Sequence, residues 1–438
     1  MKILIVGSGG REHAIAIAYA KNKEVNSVFV APGNDFMSLT NKKIKTLPEI
    51  LMGDFESLLA FVKKEKIDLI DVAQDDVIAT GYVNKLKEEG FQAFGPTKEA
   101  AEIEWSKDWA RNFMKKYKLP APIFKSFSRD IEAVTYVNSL DHQLLFIKAS
   151  GLALGKGVIK AENKQQAKEA ILSMKQFGKA GETFLIEEGL VGEEFSLFVF
   201  CDGKNYVITK SSQDHKTIFN GDKGPNTGGI GCVSPTALVT SKLIKEIENK
   251  IIKPTLLGLI KEGRPYMGIL YLGGIVTRSA SSGQAEVKII EFNSRWGDPE
   301  AEVIIPSIKT DYLTIVQSII NQKLPKIKIK FDKKVRISVA GCANGYPTDY
   351  SKAKGKKIYG LLEAIKLPGV SVYSSGISEK DGNFVVSGGR LFHLVAEGET
   401  LAEARIRVYG AMAMIYIEGN NLHYRTDIGW RDMEREYR

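Results

Sequence analysis

Cysteine is scarce: the 438 residues hold three, Cys201, Cys232 and Cys342, too widely spaced for a disulfide framework or a zinc pattern. They read as buried and inert. No apolar run reaches the ~18 residues of a membrane helix, and Lys2-Ile3-Leu4-Ile5-Val6 runs straight into a glycine turn, which marks a strand and not a secretory signal. A cytoplasmic protein without a membrane partner is expected. Low-complexity and collagen-like segments are missing, and so is any aromatic-rich basic motif of the RNA-binding type, so no nucleic-acid partner is expected. The net charge of +9 suits small anionic substrates but does not choose among anions.

The chain is too long for one core, and ordinary domain sizes suggest about three or four units. Strand, glycine turn and helix over Ile3–Ala20, a strand at Val28–Val30, a helix at Phe55–Lys64 and a strand at Asp68–Val72 repeat a β-α pattern. That pattern predicts a doubly wound parallel sheet over residues 1–100. A helical connection over 101–122 ends at Pro120-Ala121-Pro122, and a strand-rich unit follows over 123–190. From 191 to 325 the strands Glu194–Phe200, Tyr206–Thr209, Met267–Thr277 and Glu286–Phe292 flank a helix at Ser241–Glu262. Residues 326–438 form a small α+β unit with a helix from Leu401 to Tyr416. At its start, Lys326 to Lys334 alternates basic and apolar residues, which predicts a solvated edge strand.

Five segments carry chemistry. Gly7-Ser8-Gly9-Gly10-Arg11-Glu12 joins the first strand to the first helix, where free amides favour an anion. Glu12 stands where a dinucleotide fingerprint needs glycine, and Ala31-Pro32-Gly33-Asn34 lacks the acid that should close the second strand, which argues against a dehydrogenase. A smaller phosphate ester held by Gly9, Gly10 and Asn34 fits; a tight turn with no ligand is the plain alternative. Lys148-Ala149-Ser150-Gly151-Leu152-Ala153-Leu154-Gly155-Lys156-Gly157 lies between two apolar strands and misses the Walker spacing. Its glycines let backbone amides approach a polyphosphate, with Lys148 as a fixed cation, unless it is only a glycine-rich hairpin.

Phe184 to Glu194 ends an apolar strand in a carboxylate cluster, Glu187, Glu188, Glu193 and Glu194. A strand end offers adenine a backbone donor and acceptor and offers ribose a carboxylate, although solvated acids are the ordinary alternative. Ser211 to Lys216 and Gly221 to Gly231 form a long polar stretch dense in glycine, with Asp214, His215, Asn226, Thr227 and Gly228 interleaved. In Ile289-Ile290-Glu291-Phe292-Asn293-Ser294-Arg295-Trp296-Gly297-Asp298-Pro299-Glu300, side chains two apart on a strand share a face. Glu291 and Asn293 then present a carboxylate and an amide oxygen, a hard pair suited to Mg²⁺.

Taken in order, Gly7–His13, Ala31–Asn34, Gly95–Thr97, Lys148–Gly157, Gln213–Lys216, Gly224–Gly231, Glu291–Glu300, Ser387–Arg390 and Asp427–Trp430 resemble one family over nearly the whole chain. It is the glycinamide ribonucleotide synthetase, or phosphoribosylamine–glycine ligase, family of the ATP-grasp superfamily. The resemblance implies an α/β and α+β multidomain fold: a Rossmann-like N-terminal domain (1–100), a connection (101–122), small and large ATP-grasp subdomains (123–190 and 191–325) and a C-terminal domain (326–438). Lys107, Lys148, Gly151, Gly155, Lys156 and Gly157 would hold the ATP phosphates. Glu187, Glu188 and Leu190 would face adenine, and Glu194 the ribose.

Glu291 and Asn293 match the family's ligands for Mg²⁺, with Mn²⁺ as the alternative. Arg295 is expected at the glycine carboxylate or acyl phosphate, Asp214 at the glycine ammonium, and Asp298 as the group that orients Arg295. Gly9, Gly10, Arg11 and Asn34 would hold the phosphate end of 5-phosphoribosylamine, with Asn226, Thr227 and Gly228 beside the substrates. A monomer or weak homodimer is expected. Ser150, Trp105 and Ala73-Gln74-Asp75 depart from the family pattern and bear on specificity and rate. Two alternatives remain from this reading: an ATP-grasp ligase for another acid and amine, and a nucleotide-binding homologue without turnover.

Overall fold

The computed structural model describes residues 1–141, 144–153, 157–278 and 285–436. Strand β1 (Lys2–Gly7) is apolar on both faces: Ile3 and Ile5 enter one core, Leu4 and Val6 another. A strand buried on both sides belongs in the middle of a parallel sheet. It lies there, between β2 (Ser27–Pro32) and β4 (Leu69–Val72), with β3 (Ile44–Thr46) and β5 (Ala93–Phe94) outside, in the order β3-β2-β1-β4-β5 and all parallel. Each fully buried Ile, Leu or Val contributes about 1.5–3 kcal/mol. The helix Tyr312–Ile320 adds Ile315, Val316 and Ile319 to the first core and so ties this sheet to the later part of the chain.

Strands β6 (Phe124–Phe127), β7 (Leu145–Ala149), β8 (Val158–Ala161) and β9 (Phe184–Glu188) make an antiparallel sheet in the order β6-β9-β7-β8, covered by helices Asp130–Ser139 and Lys164–Ser173. A third, nine-stranded sheet starts with β10 (Gly192–Asp202) and β11 (Tyr206–Asp214). A hairpin of β12 (Thr217–Phe219) and β13 (Lys223–Asn226) stands off it before β14 (Gly231–Ser234) returns. With β15 (Met267–Arg278), β16 (Ala285–Asn293) and β17 (Val335–Ala343) the order is β16-β15-β10-β11-β14-β17, followed by Arg390–Gly398 and Val370–Ser374, and the ninth strand, Leu422–His423, pairs with the end of β17. The pairing of β14 with β17 carries the sheet across residue 326 into the C-terminal unit. One helical rod, Ser241–Ile247 and Lys253–Lys261 joined by a π turn, packs on the sheet, and Leu401–Met412 covers the C-terminal end.

Two expectations change. The segment from Lys326 to Lys334 is not an edge strand: after a turn at Leu324–Lys326 only Phe331 bridges, to Ile308. The alternation is real, because Ile327, Ile329 and Phe331 pack on the core, but they do so on an irregular backbone. The polar stretch after Asp214 is also not free loop. Its hairpin is pinned by the buried Arg425, which donates to Thr217 O at 3.1 Å and Asp222 Oδ1 at 3.0 Å.

Candidate active site

The three sheets meet around a cavity of about 670 Å³. Its wall brings together Gly9, Arg11, Lys107, Lys148, Gly157, Glu187, Glu188, Leu190, Glu194, Asp214, Asn226, Thr227, Gly228, Glu291, Asn293, Arg295 and Asp298. Gly155 and Lys156 lie outside the described residues. Gly10, Asn34 and Gly151 do not line the cavity. Gly151 packs on Ala180, where a Cβ would approach Ala180 Cα to 2.8 Å.

The expected phosphate-ester donors are engaged within the protein. Gly9 N donates to Glu12 Oε2 at 2.8 Å and Gly10 N to Ser375 Oγ at 2.9 Å. Arg11 donates from Nε to Glu12 Oε1 at 2.5 Å and from Nη1 to Trp296 O at 3.1 Å. Asn34 Nδ2 donates to Ser8 O at 2.9 Å and Ser374 O at 3.1 Å, while its Oδ1 accepts from Ser374 Oγ at 2.6 Å. This turn therefore fastens the N-terminal sheet to the C-terminal unit.

On the opposite wall stand the cations. Ser106 Oγ accepts from Trp109 N at 3.3 Å and starts the helix Lys107–Lys116, which sets Lys107 on its first turn. Ser150 accepts from Lys107 N through its carbonyl at 2.9 Å and from Asp108 N through its hydroxyl at 3.1 Å. The departure at 150 therefore keeps an oxygen that caps the Lys107 helix. Lys148, on β7, pairs with Glu187 Oε2 across the sheet at 2.7 Å. Glu187 consequently turns its carboxylate toward Lys148 and Arg111. Although burial opposes its ionisation, Arg111 and Lys148 pull the Glu187 carboxyl down to about 2.

Strand β16 delivers Glu291 and Asn293 to the cavity as expected, and Phe292, packed in the core, also touches the cavity edge. Asn293 Nδ2 and Glu291 Oε1 are 3.5 Å apart. Gly273 makes room on the neighbouring strand, since a Cβ there would lie 3.2 Å from Glu291 Cγ. Burial opposes charge on Glu291, but Lys216, Lys148, Lys107 and Arg295 outweigh it and hold the carboxyl below its usual range. An ionised carboxylate beside an amide oxygen fits a hard divalent cation.

The turn after β16 differs from expectation in its partners. Arg295 Nη2 pairs with Glu104 Oε1 at 2.9 Å and lies 3.6 Å from Asp75 Oδ2. Asp298 does not orient Arg295. Its Oδ1 faces Arg390 Nη1 at 2.8 Å and His393 Nε2 at 3.3 Å. Burial opposes its charge, yet Arg390 and the His393 bond hold the Asp298 carboxyl far below its usual range. The reason is topological: the turn runs under the C-terminal strand Arg390–Gly398, while Glu104 reaches Arg295 from the helix Glu102–Trp105.

Asp214 sits at the end of β11 with Oδ1 buried and unpartnered among the described residues. Burial first, and then the nearby Glu300, push its carboxyl well up. Gly229 makes this closeness possible: its φ is +107° and a Cβ would lie 2.4 Å from Pro299 Cδ and 3.0 Å from Asp214 Oδ1. Arg390 Nη1 closes the loop by donating to Gly228 O at 2.8 Å and Gly229 O at 3.1 Å.

Sequence reasoning missed Glu104 and Arg111, and left Lys216, Glu300 and Arg390 inside motifs without a role. Lys216 pairs with Glu194 at 2.7 Å, so Glu194 reaches the cavity already bound to a cation.

A lysine-lined cleft between two antiparallel sheets, with a carboxylate and amide pair at its floor, defines an ATP-grasp fold. Models of the phosphoribosylglycinamide synthetase N domain, ATP-grasp (A) domain and C domain match residues 1–104, 105–301 and 336–431. The chain belongs to the phosphoribosylglycinamide synthetase family. It is 41% identical over 435 residues to the phosphoribosylamine–glycine ligase of Streptococcus pneumoniae serotype 4, covering 98% of this chain and 99% of that one. The crystal structure of phosphoribosylamine–glycine ligase from Thermotoga maritima is similar with a TM-score of 0.79 at 31% identity, over 98% of this chain and 100% of that one. A biotin carboxylase from Campylobacter jejuni shares the fold, with a TM-score of 0.73 at 16% identity over 99% of this chain and 95% of that one.

Proposed function

We infer that this protein is an ATP-dependent carbon–nitrogen ligase that joins glycine to 5-phosphoribosylamine, giving glycinamide ribonucleotide, ADP and phosphate in purine biosynthesis. The observation that carries the reading is the gathering of Lys107, Lys148, Lys216 and Arg295 around Glu291 in one cavity, next to Asp214, whose Oδ1 has no partner among the described residues.

A carboxylate is a poor electrophile, so the amide forms only after a leaving group is attached. The glycine carboxylate attacks the γ-phosphorus, ADP leaves, and glycyl phosphate results; the amine then attacks the acyl carbon and phosphate leaves. Lys107 and Lys148 hold the phosphates, and Met114, Phe146 and Leu190 supply apolar wall for the adenine end. Glu291 and Asn293 would hold Mg²⁺, or Mn²⁺, which when bound neutralises phosphate charge.

Asp214 with Glu300 forms a carboxyl corner for the glycine ammonium, whose positive charge would offset the burial and the Glu300 repulsion that push the Asp214 carboxyl up, while Arg295, steadied by Glu104, faces the acyl phosphate. The amine substrate enters between the first turn, Gln74 and Asp75, and Arg390. Positioning and charge account for catalysis without a side-chain nucleophile.

The test is a coupled ADP assay across a panel of acids and amines, with phosphoribosylamine made in situ. ADP release is expected with glycine and phosphoribosylamine together. Release with another pair and none with these would overturn the reading.

A further inference from the structure

Arg111 is buried, 3% exposed, at a point where three elements meet. It belongs to the helix Lys107–Lys116. Its Nε donates to Glu187 Oε1 at 2.7 Å and its Nη2 to Glu187 Oε2 at 2.9 Å, a two-bond fork that fits a planar guanidinium. Nη2 also donates to Ile290 O at 2.6 Å. Glu187 stands on β9 of the four-stranded sheet and Ile290 on β16 of the nine-stranded sheet, next to Glu291. A single side chain thus joins the helix that opens on Lys107, the strand facing Lys148 and the strand that carries Glu291.

We propose that Arg111 is a positioning residue for the phosphate grip: it shares Glu187 with Lys148 and fixes the Glu291 strand against the small subdomain. The proposal rests on the ATP-ligase reading above. Glu187 has one charge, and Lys148 Nζ takes its Oε2 at 2.7 Å while Arg111 holds both oxygens. Two cations on one carboxylate leave a positive charge over, so Lys148 keeps an attraction for phosphate that a one-to-one pair would cancel. Lysine cannot replace the arginine, because one ammonium cannot make the fork and also reach the Ile290 carbonyl. The carbonyl bond adds geometry to charge. Where β16 sits relative to β9 sets the distance between Glu291 and Lys148, which would serve the same polyphosphate, Lys148 directly and Glu291 through the cation it would hold.

The test compares Arg111→Lys, Arg111→Met and, as a control on the exposed face of the same helix, Asn112→Ala. Direct binding of MgATP, ATP and glycine KM, kcat and the melting temperature of the unliganded protein are measured for each. Both Arg111 variants are expected to weaken MgATP binding about tenfold or more, the size of a lost charge-assisted bond. ATP KM should rise in parallel while glycine KM stays unchanged, and the control should match wild type. Folded Arg111→Lys with wild-type MgATP affinity would overturn the proposal, as would a fall in melting temperature with no change in affinity. If Arg111→Met does not fold, Arg111→Lys decides. The ligase reading fails separately: wild type that binds MgATP but makes no ADP with glycine and phosphoribosylamine removes that reading and leaves the affinity comparison intact.

Discussion

Arg295 Nη2 rests 2.9 Å from Glu104 Oε1, and the other oxygen of Glu104 accepts from Ser294 N at 2.7 Å. One carboxylate from the connecting helix therefore fixes both the arginine and the backbone of the turn that carries it. Glu104→Gln keeps an acceptor for Ser294 and removes the ion pair. Loss of the buried charge partner is expected to lower kcat by about tenfold or more, with ATP KM little changed. Steady-state kinetics at saturating ATP measure this, and unaltered kcat would show that Arg295 needs no such anchor.

Glu291 and Asn293 share a face of β16, and four cations keep Glu291 ionised. Glu291→Ala should abolish turnover, and Asn293→Ala should raise the concentration of Mg²⁺ needed for half-maximal rate. Because both side chains face the cavity, circular dichroism and the melting temperature should stay close to wild type. Full activity of Glu291→Ala would place the metal elsewhere.

Asp214 Oδ1 is buried without a partner among the described residues and stands beside Glu300. Asp214→Asn leaves the shape and removes the carboxyl that a bound ammonium would hold ionised. Glycine KM should rise about tenfold or more, as expected when an ammonium loses a buried counter-charge, while ATP KM holds. A glycine titration at fixed ATP checks it, and an unchanged glycine KM would assign the ammonium to another group.

Asp71 lies beneath the first helix, where Tyr19 donates to its Oδ2 at 2.8 Å. Burial pushes its carboxyl up to about 7. The folded chain thus retains a proton that the unfolded chain releases near pH ~4. Stability from this group is complete below that pH and is lost as pH rises to about 7. Asp71→Asn removes the loss, so its stability relative to wild type should be more favourable at pH 8 than at pH 5. Urea unfolding at the two pH values measures this; an equal difference at both would contradict it.

Local spacing made much of the site legible. Alternation in Glu291-Phe292-Asn293 put a carboxylate and an amide on one face, and Lys148 on a strand beside a non-Walker loop marked a cation on the cavity wall. The parallel sheet followed from the repeating β-α pattern over residues 3–72. What stayed hidden depends on long-range pairing. Glu104, Arg111 and Arg390 occupy ordinary local contexts, and their roles arise because helices and strands distant in sequence converge on Arg295, Glu187 and Asp298. Asp298, expected to orient Arg295, meets Arg390 and His393 instead, because the fold lays the C-terminal strand against it. At Lys326 to Lys334 the period of two was present, but no strand ran beside it to accept a ladder.

The central claim, that ATP activates glycine through its carboxylate, is tested most directly by oxygen tracing. Glycine labelled with ¹⁸O in both carboxylate oxygens is converted with ATP and phosphoribosylamine, and the released phosphate is analysed by mass spectrometry. Attack of the carboxylate on the γ-phosphorus followed by amine displacement predicts one ¹⁸O in each phosphate and one in the amide product. Unlabelled phosphate would contradict the acyl-phosphate route.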